Sequence, residues 1–212
     1  DGVWTAEKGG NFVRNENWDP ATDTIRKAYP DKITWDESLT AETMYERLIA
    51  NAGPDQTAIT FDQAPVTALA NIESGAKGRN SIVASPYTRY LTPNFKSKVM
   101  SNIKVREAVA HALDRKAIID GAQFGYGTPI GSFYPPGDPA YVDLTAISNF
   151  DPEKSKALLA EAGLKDPTLS LKLPPASYAR AAGPIIQQEL ANVGIKVEIT
   201  NVEWADWLQN VF

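Results

Sequence analysis

Hydrophobic residues recur at three- and four-residue steps from Val105 to Ile119, the pattern of an amphipathic helix. The stripe consists of Val105, Ala108, Val109, Ala112 and Leu113. Arg106 falls outside this stripe, so we expect an exposed or ion-paired surface group. Asp114 is typical of a helix cap, because its carboxylate can accept hydrogen bonds from the first amides of a following helix. The segment therefore predicts two helices that join at Asp114.

Helices alternate with short strands along the rest of the chain. The predicted strands are 12–14, 32–35, 57–61, 81–84, 89–92, 169–173 and 195–199. Further helices are predicted at 41–50, 66–72, 152–162 and 184–193, with a last one from Trp204, and Thr40 and Asp151 are the expected caps. This alternation favours an α/β fold, with a sheet covered by helices on one or both faces.

Composition excludes several classes of protein. The 212 residues are 43% hydrophobic, enough for one sizeable core or two small ones. The net charge is -5 and no basic cluster is interleaved with aromatic residues, so we expect no nucleic-acid partner. No apolar run approaches the roughly 20 residues that cross a bilayer. Residues 1–4 lack a signal-peptide pattern, so we expect any targeting segment to lie outside this chain or to have been removed.

The sequence offers little for catalysis. It has no cysteine, which excludes disulfides, thiolate metal sites and a cysteine nucleophile. Its single histidine, His111, lies inside a predicted helix without identifiable partners, so a structural or surface role is expected. The glycines at 121, 125, 127 and 131 follow a helix rather than open one, unlike a nucleotide fingerprint. We therefore expect no cofactor, no metal and no enzyme, although a small α/β hydrolase stays open as an alternative.

Several segments, in a consistent order, resemble the extracellular solute-binding proteins of family 5, the peptide receptors of bacterial ABC importers. They are Arg14-Asn-Glu-Asn-Trp18, Tyr87-Thr-Arg-Tyr-Leu91, Val105 to Ile119, Gly125-Tyr-Gly-Thr-Pro129, Tyr134-Pro-Pro136, Phe150 to Gly163 and Leu190 to Val197. Together they reach across nearly the whole chain. Asn94-Phe95-Lys96 departs from the Asn-Thr-Lys that is frequent in the family.

The resemblance implies a periplasmic-binding-protein-like lobe of type II, with a mixed, mostly parallel sheet flanked by helices. Residues 1–212 would form a single α/β lobe, a fragment of a larger two-lobe protein. Its implied function is solute capture for an ABC importer, with an oligopeptide bound between this lobe and a missing one. We expect a monomer outside the cell, at its surface or in the periplasm, anchored in full-length form by an N-terminal lipid, with a membrane permease as partner.

Aromatic residues supply the candidate ligand contacts. Trp204, Trp207 and Leu208 can share one side of a short helix, and spacing alone favours packing of that side on the sheet. The resemblance instead implies that Trp204 and Leu208 face the cleft between the lobes and leaves Trp207 open between core and cleft. It also brings Ser132-Phe133-Tyr134 and Ser177-Tyr178 near the ligand, although both could equally be surface loops.

Two further functions remain compatible with the sequence. An indole offers a broad apolar face and one N–H donor, which suits a sugar ring as well as a peptide side chain. Oligosaccharide binding by the same fold is therefore the first alternative. A protein-interaction surface along the helix from Trp204 to Val211 is the second.

Overall fold

A computed structural model describes residues 4–5, 8–61, 63–81, 83 and 86–211. Its contacts group the chain into two compact units, 1–80 and 81–212. The single lobe over 1–212 stays a prediction. Among the described residues no helix is both long and apolar enough to cross a membrane.

Among its described residues the first unit contains a pair of short strands and two α-helices. Strands β1 (Gly10–Val13) and β2 (Lys32–Trp35) pair antiparallel. Helix α1 (Ala41–Ala50) begins where predicted, because the Thr40 hydroxyl accepts a hydrogen bond from the Thr43 amide at 3.3 Å. Predicted helix 66–72 is a 3₁₀ turn at 66–68 followed by α2 (Leu69–Gly75).

The second unit contains one parallel strand pair and five helices among its described residues. The elements are α3 (Ile103–Ala112), α4 (Arg115–Gln123), α5 (Pro152–Glu161), β3 (Thr168–Leu173), α6 (Ser177–Asn192), β4 (Lys196–Asn201) and α7 (Trp204–Asn210). Thr168 lies opposite Lys196, and Leu173 lies opposite Asn201. Because the two strands are parallel, α6 carries the chain from the end of one back to the start of the other.

The core of this unit lies where α3, α5 and α6 meet the two strands. Its buried residues are Val105, Ala108, Ala112, Leu113, Leu159, Ile186, Leu190, Val193, Ile195 and Val197. Val109 packs partly buried against them, so the predicted stripe is confirmed. Ser155 is fully buried on α5, and its hydroxyl donates to the Ala108 carbonyl at 2.8 Å, which ties α5 to α3 and satisfies the hydroxyl.

Asp114 joins α3 to α4 as predicted. Its Oδ1 accepts hydrogen bonds from the amides of Lys116 and Ala117 at 3.0 and 3.1 Å. The Asp114 amide donates to a carboxylate oxygen of Glu189 on α6 at 3.1 Å. The cap is therefore also a contact between α4 and α6.

Arg106 corrects one sequence prediction. Its guanidinium donates to the carbonyl oxygens of Met100 and Ser101 at 2.8 and 2.9 Å and lies 4.6 Å from the centre of the Phe95 ring. The residue is partly buried and makes no ion pair with a described residue. The expectation of an exposed or ion-paired group was wrong, because two main-chain carbonyl oxygens of the turn before α3 accept the hydrogen bonds of this guanidinium.

A mixed, mostly parallel sheet does not appear among the described residues, which form two separate two-stranded sheets. Two predicted strands, 57–61 and 89–92, do not form strands in the structure. Predicted strand 81–84 lies partly outside the described residues. Ile59 and Phe61 are 93% and 87% exposed. An alternating pattern indicates an apolar face but does not say which segment pairs with it. A strand forms only where its main-chain groups hydrogen-bond to a neighbouring strand. The α/β class holds, and the mixed, mostly parallel sheet stays a prediction.

Helix α6 begins seven residues earlier than predicted. Pro184, the first residue of the predicted span, lies inside the helix. The earlier start places Ser177 and Tyr178 in the first turn of α6, four residues after β3 ends.

Candidate functional site

The carboxyl ends of β3 and β4 lie side by side, because Leu173 pairs with Asn201. Helix α6 starts just after the first strand end and α7 just after the second. The predicted residues Tyr178 and Trp204 therefore come to the same edge of the strand pair, here named the carboxyl edge. Ligands of open α/β sheets bind outside the carboxyl ends of the strands.

Helix α7 presents its apolar residues to solvent at this edge. Trp204 is 51% exposed and Leu208 is 65% exposed, whereas Trp207 is partly buried. The interpretation that all three pack on the sheet was therefore wrong for two of them. A contact between Trp204 or Leu208 and a ligand stays a prediction.

An ion pair links the starts of α6 and α7. The Arg180 guanidinium lies 3.8 Å from the Glu203 carboxylate. Both side chains are largely exposed, so the pair contributes little to stability. The ion pair shows that the first turn of α6 lies beside the residue that precedes Trp204.

The loop Ser132–Tyr134 forms a second apolar surface. The Ser132 hydroxyl donates to the Tyr134 carbonyl at 3.1 Å, and the Phe133 and Tyr134 rings meet edge to face with centres 5.6 Å apart. Phe133 is 65% exposed and Tyr134 is 47% exposed. At Gly131 an added Cβ would lie 2.3 Å from main-chain atoms of Leu144 and Thr145, so this position requires glycine and fixes where the loop begins.

A segment without a predicted ligand role connects the loop with the carboxyl edge. The Thr88 hydroxyl donates to the Phe133 carbonyl at 2.9 Å, and the Tyr90 and Phe133 ring centres are 5.7 Å apart. Between them, the Arg89 guanidinium lies 4.0 Å from the centre of the Tyr178 ring. In the sequence, Tyr87 to Leu91 is distinguished only by its family resemblance and by the predicted strand 89–92. Phe133 and Tyr178 lie 44 and 89 positions after Arg89, so no rule based on local spacing could predict that this segment contacts them.

Contacts join 88–90, 132–134 and Tyr178, and Trp204 and Leu208 follow the neighbouring strand end. This set of residues is here named the aromatic edge. It consists of Thr88, Arg89, Tyr90, Ser132, Phe133, Tyr134, Tyr178, Trp204 and Leu208. Broad rings and one aliphatic side chain dominate it, with hydroxyl groups and one guanidinium between them. Such a surface can hold a ligand by apolar contact and a few directed hydrogen bonds.

Two ionisable side chains of the scaffold, His111 and Glu189, make hydrogen bonds within the fold. His111 is 3% exposed, and its Nδ1 lies 2.7 Å from the Asn149 carbonyl oxygen, so the structural role expected for it is confirmed. Burial is the main cause that raises the pKa of Glu189 to about 7. The hydrogen bond from the Asp114 amide opposes this shift, and the negative charge of Asp114 adds to it. Within the described part of the chain, no three His, Asp or Glu side chains are placed to hold a metal ion.

A shallow concavity of about 420 Å³ lies at the opposite end of the strand pair. Pro167 and Gly194, which precede β3 and β4, line it together with the end of α5. None of the predicted ligand residues borders it. We therefore locate the candidate site at the aromatic edge rather than in this depression.

Residues 3–211 match the sequence profile of the bacterial extracellular solute-binding proteins, family 5 Middle. The chain belongs to this family. The resemblance drawn from its motifs is thereby confirmed. The family is one of solute-binding proteins rather than enzymes, and it is extracellular by description, so both expectations hold at the level of the family.

Characterised relatives are about one third identical to this chain over the aligned residues. It is similar to the glutathione-binding protein GsiB of Salmonella choleraesuis, with 33% identity over 178 residues, 82% of this chain and 33% of that protein. The dipeptide-binding protein of Escherichia coli is 33% identical over 126 residues, 57% of this chain and 24% of that protein. The chain therefore spans a third or less of the length of these relatives.

Solved structures share the fold. The oligopeptide-binding protein AppA of Bacillus subtilis, in complex with a nonapeptide, superposes with a TM-score of 0.72 at 23% identity. The superposition covers 98% of this chain and 42% of AppA. This likeness establishes the α/β lobe of the periplasmic-binding-protein fold.

Proposed function

We propose that the chain is part of a receptor that captures peptides for an ABC importer, and that the aromatic edge contacts the peptide. One observation carries the proposal: exposed apolar side chains gather outside the carboxyl ends of two parallel strands, where ligands of α/β proteins bind. The names of the relatives, which mention dipeptides, glutathione and a nonapeptide, support a peptide as the solute.

The exposure of these side chains fits one half of a cleft. Trp204, Leu208 and Phe133 are each more than half exposed, and closure of a facing lobe would remove their apolar surface from water. Ring faces and aliphatic groups tolerate varied side chains, which a receptor for peptides of different sequence needs. Solute binding would then favour the closed arrangement through these added contacts.

Several finer features belong to the same proposal. Residues 1–212 would act as a single lobe of the type II arrangement, within a mixed, mostly parallel sheet completed by strands from the rest of the protein. The full-length protein would be a monomer outside the cell, held by an N-terminal lipid, and its closed form would be recognised by a membrane permease. The share of the relatives that this chain spans supports a larger two-lobe protein.

The direct test uses the full-length gene product, purified without denaturation. Mass spectrometry of the co-purified solute should recover peptides, and isothermal titration with peptide pools from dipeptides to nonapeptides should show saturable binding. Recovery of a saccharide, together with no heat signal from any peptide pool, would contradict the proposal and favour the oligosaccharide alternative.

A further inference from the structure

We propose that Arg89 is a specificity residue that binds a carboxylate of the solute. The inference rests on the proposed function, and it narrows the solute to peptides or related molecules with a free acid group near this side chain. It draws on the position of the guanidinium in the aromatic edge and on its hydrogen-bond partners.

Two neutral side chains hold the Arg89 guanidinium in place. Its centre lies 4.0 Å from the centre of the Tyr178 ring, so one face is stacked on the aromatic ring. One terminal nitrogen donates to the side-chain oxygen of Gln123. A guanidinium has five N–H donors in a planar fork, so a stacked face and a single acceptor leave donors available in the plane. The residue itself is exposed.

Arg89 differs from every other arginine of the chain in its acceptors. Arg14, Arg26, Arg47 and Arg180 each face a carboxylate, and Arg79, Arg106 and Arg115 each donate to main-chain carbonyl oxygens. No acidic side chain among the described residues lies within 4.0 Å of the Arg89 guanidinium. Its positive charge is therefore not neutralised at close range within the part of the chain that the structure describes.

A planar, oriented guanidinium is suited to bind a carboxylate through two parallel hydrogen bonds. Because Arg89 is already stacked on Tyr178, its long side chain loses less conformational entropy when it binds a ligand. The contacts of Thr88 and Tyr90 with Phe133 place the Arg89 main chain between two predicted ligand surfaces. A carboxylate bound here would therefore belong to a solute that also contacts the aromatic edge.

The test compares two peptide pools of the same sequences, one with free carboxyl termini and one amidated. The full-length protein should bind the free pool about ten- to a hundredfold more tightly, as hydrogen bonds to a charged partner require. Arg89→Gln should reduce this preference to less than about threefold. Arg89→Lys should keep part of it, because the charge remains and the fork is lost.

Arg180→Gln is the matched control, because this exposed arginine lies at the same edge and already faces Glu203. It should leave the preference for free carboxylates intact. A wild-type protein that binds both pools equally, or an Arg89→Gln variant that keeps the full preference, would overturn the inference while peptide capture stands. A wild-type protein that binds neither pool would overturn the proposed function and this inference with it.

Discussion

Two regions of the second unit differ sharply in exposure and in what they reveal. In the scaffold around α3 and α4, Val105 and Ala108 are fully buried. At the aromatic edge, Phe133 and Leu208 are each 65% exposed. The scaffold carries the longest segment that identifies the family, 105–119, whereas the edge carries the surface that can meet a solute. Recognition of a family and location of its binding surface are therefore separate inferences.

The reason is physical. A buried position must fit its neighbours on every side, so sequence order is strongly constrained there. An edge residue must fit only the scaffold beneath it and the ligand above it. The sharpest experiments are those that alter one region and leave the other unchanged.

The largest expected effect is a loss of stability from the scaffold. Ile195 on the way into β4 is fully buried, so Ile195→Ala should lower the free energy of unfolding by about 2–5 kcal/mol. Ile147→Ala is the matched control, because Ile147 is 68% exposed in the same unit and should change stability by less than about 0.5 kcal/mol. Urea denaturation followed by circular dichroism measures both. Equal losses would contradict the assignment of the core.

The next effect is a loss of binding without a loss of stability. Trp204→Ala removes an exposed ring from the aromatic edge and should weaken peptide affinity by about 2 kcal/mol, or roughly thirtyfold. The free energy of unfolding should change by less than about 0.5 kcal/mol. Titration calorimetry and urea denaturation on the same preparation separate the two quantities. An unfolding loss as large as that of Ile195→Ala would place Trp204 in the core instead.

The smallest effect concerns pH. The pKa of Glu189 is raised from an ordinary value of 4.5 to about 7, chiefly by burial. Between these values the folded chain binds more protons than the unfolded chain, so this group makes stability fall as pH rises through the window. Glu189→Gln keeps an acceptor for the Asp114 amide and removes the charge, so stability should fall less between pH 5 and about 7.

The control for this experiment is Glu107→Gln, an exposed residue of α3. Melting temperatures across the same pH range should follow the wild-type profile in this control. A Glu189→Gln variant with the wild-type pH profile would show that the Glu189 carboxyl does not stay protonated in the folded chain.

Local signals predicted the scaffold well. Strand 32–35 and helix 41–50 have the bounds read from the sequence, and Asp114 caps α4 as its position indicated. Each depends on residues within a few positions of one another: alternation, three- and four-residue steps, or a carboxylate before a helix. The buried stripe of α3 followed from the same periodicity.

Contacts between segments that are distant in sequence could not be predicted in the same way. Predicted strand 57–61 needed a neighbour that the pattern could not specify, and Ile59 is instead 93% exposed. The stacking of Arg89 on Tyr178 joins residues far apart in sequence, and neither residue type signals the other. The resemblance named Tyr178 and Trp204, but the segment that links the two predicted surfaces emerged only from the fold.

Hydrogen–deuterium exchange of the full-length protein, with and without a saturating peptide pool, tests the central claim most directly, because it reports on both regions at once. Peptide should slow exchange in segments 88–90, 132–134, 177–180 and 204–208, where the aromatic edge lies. Segment 105–119 should exchange at the same rate in both states, apart from any uniform change in global stability. Protection confined to 105–119, or to the concavity at the opposite end of the strands, would contradict the claim that this edge binds the solute.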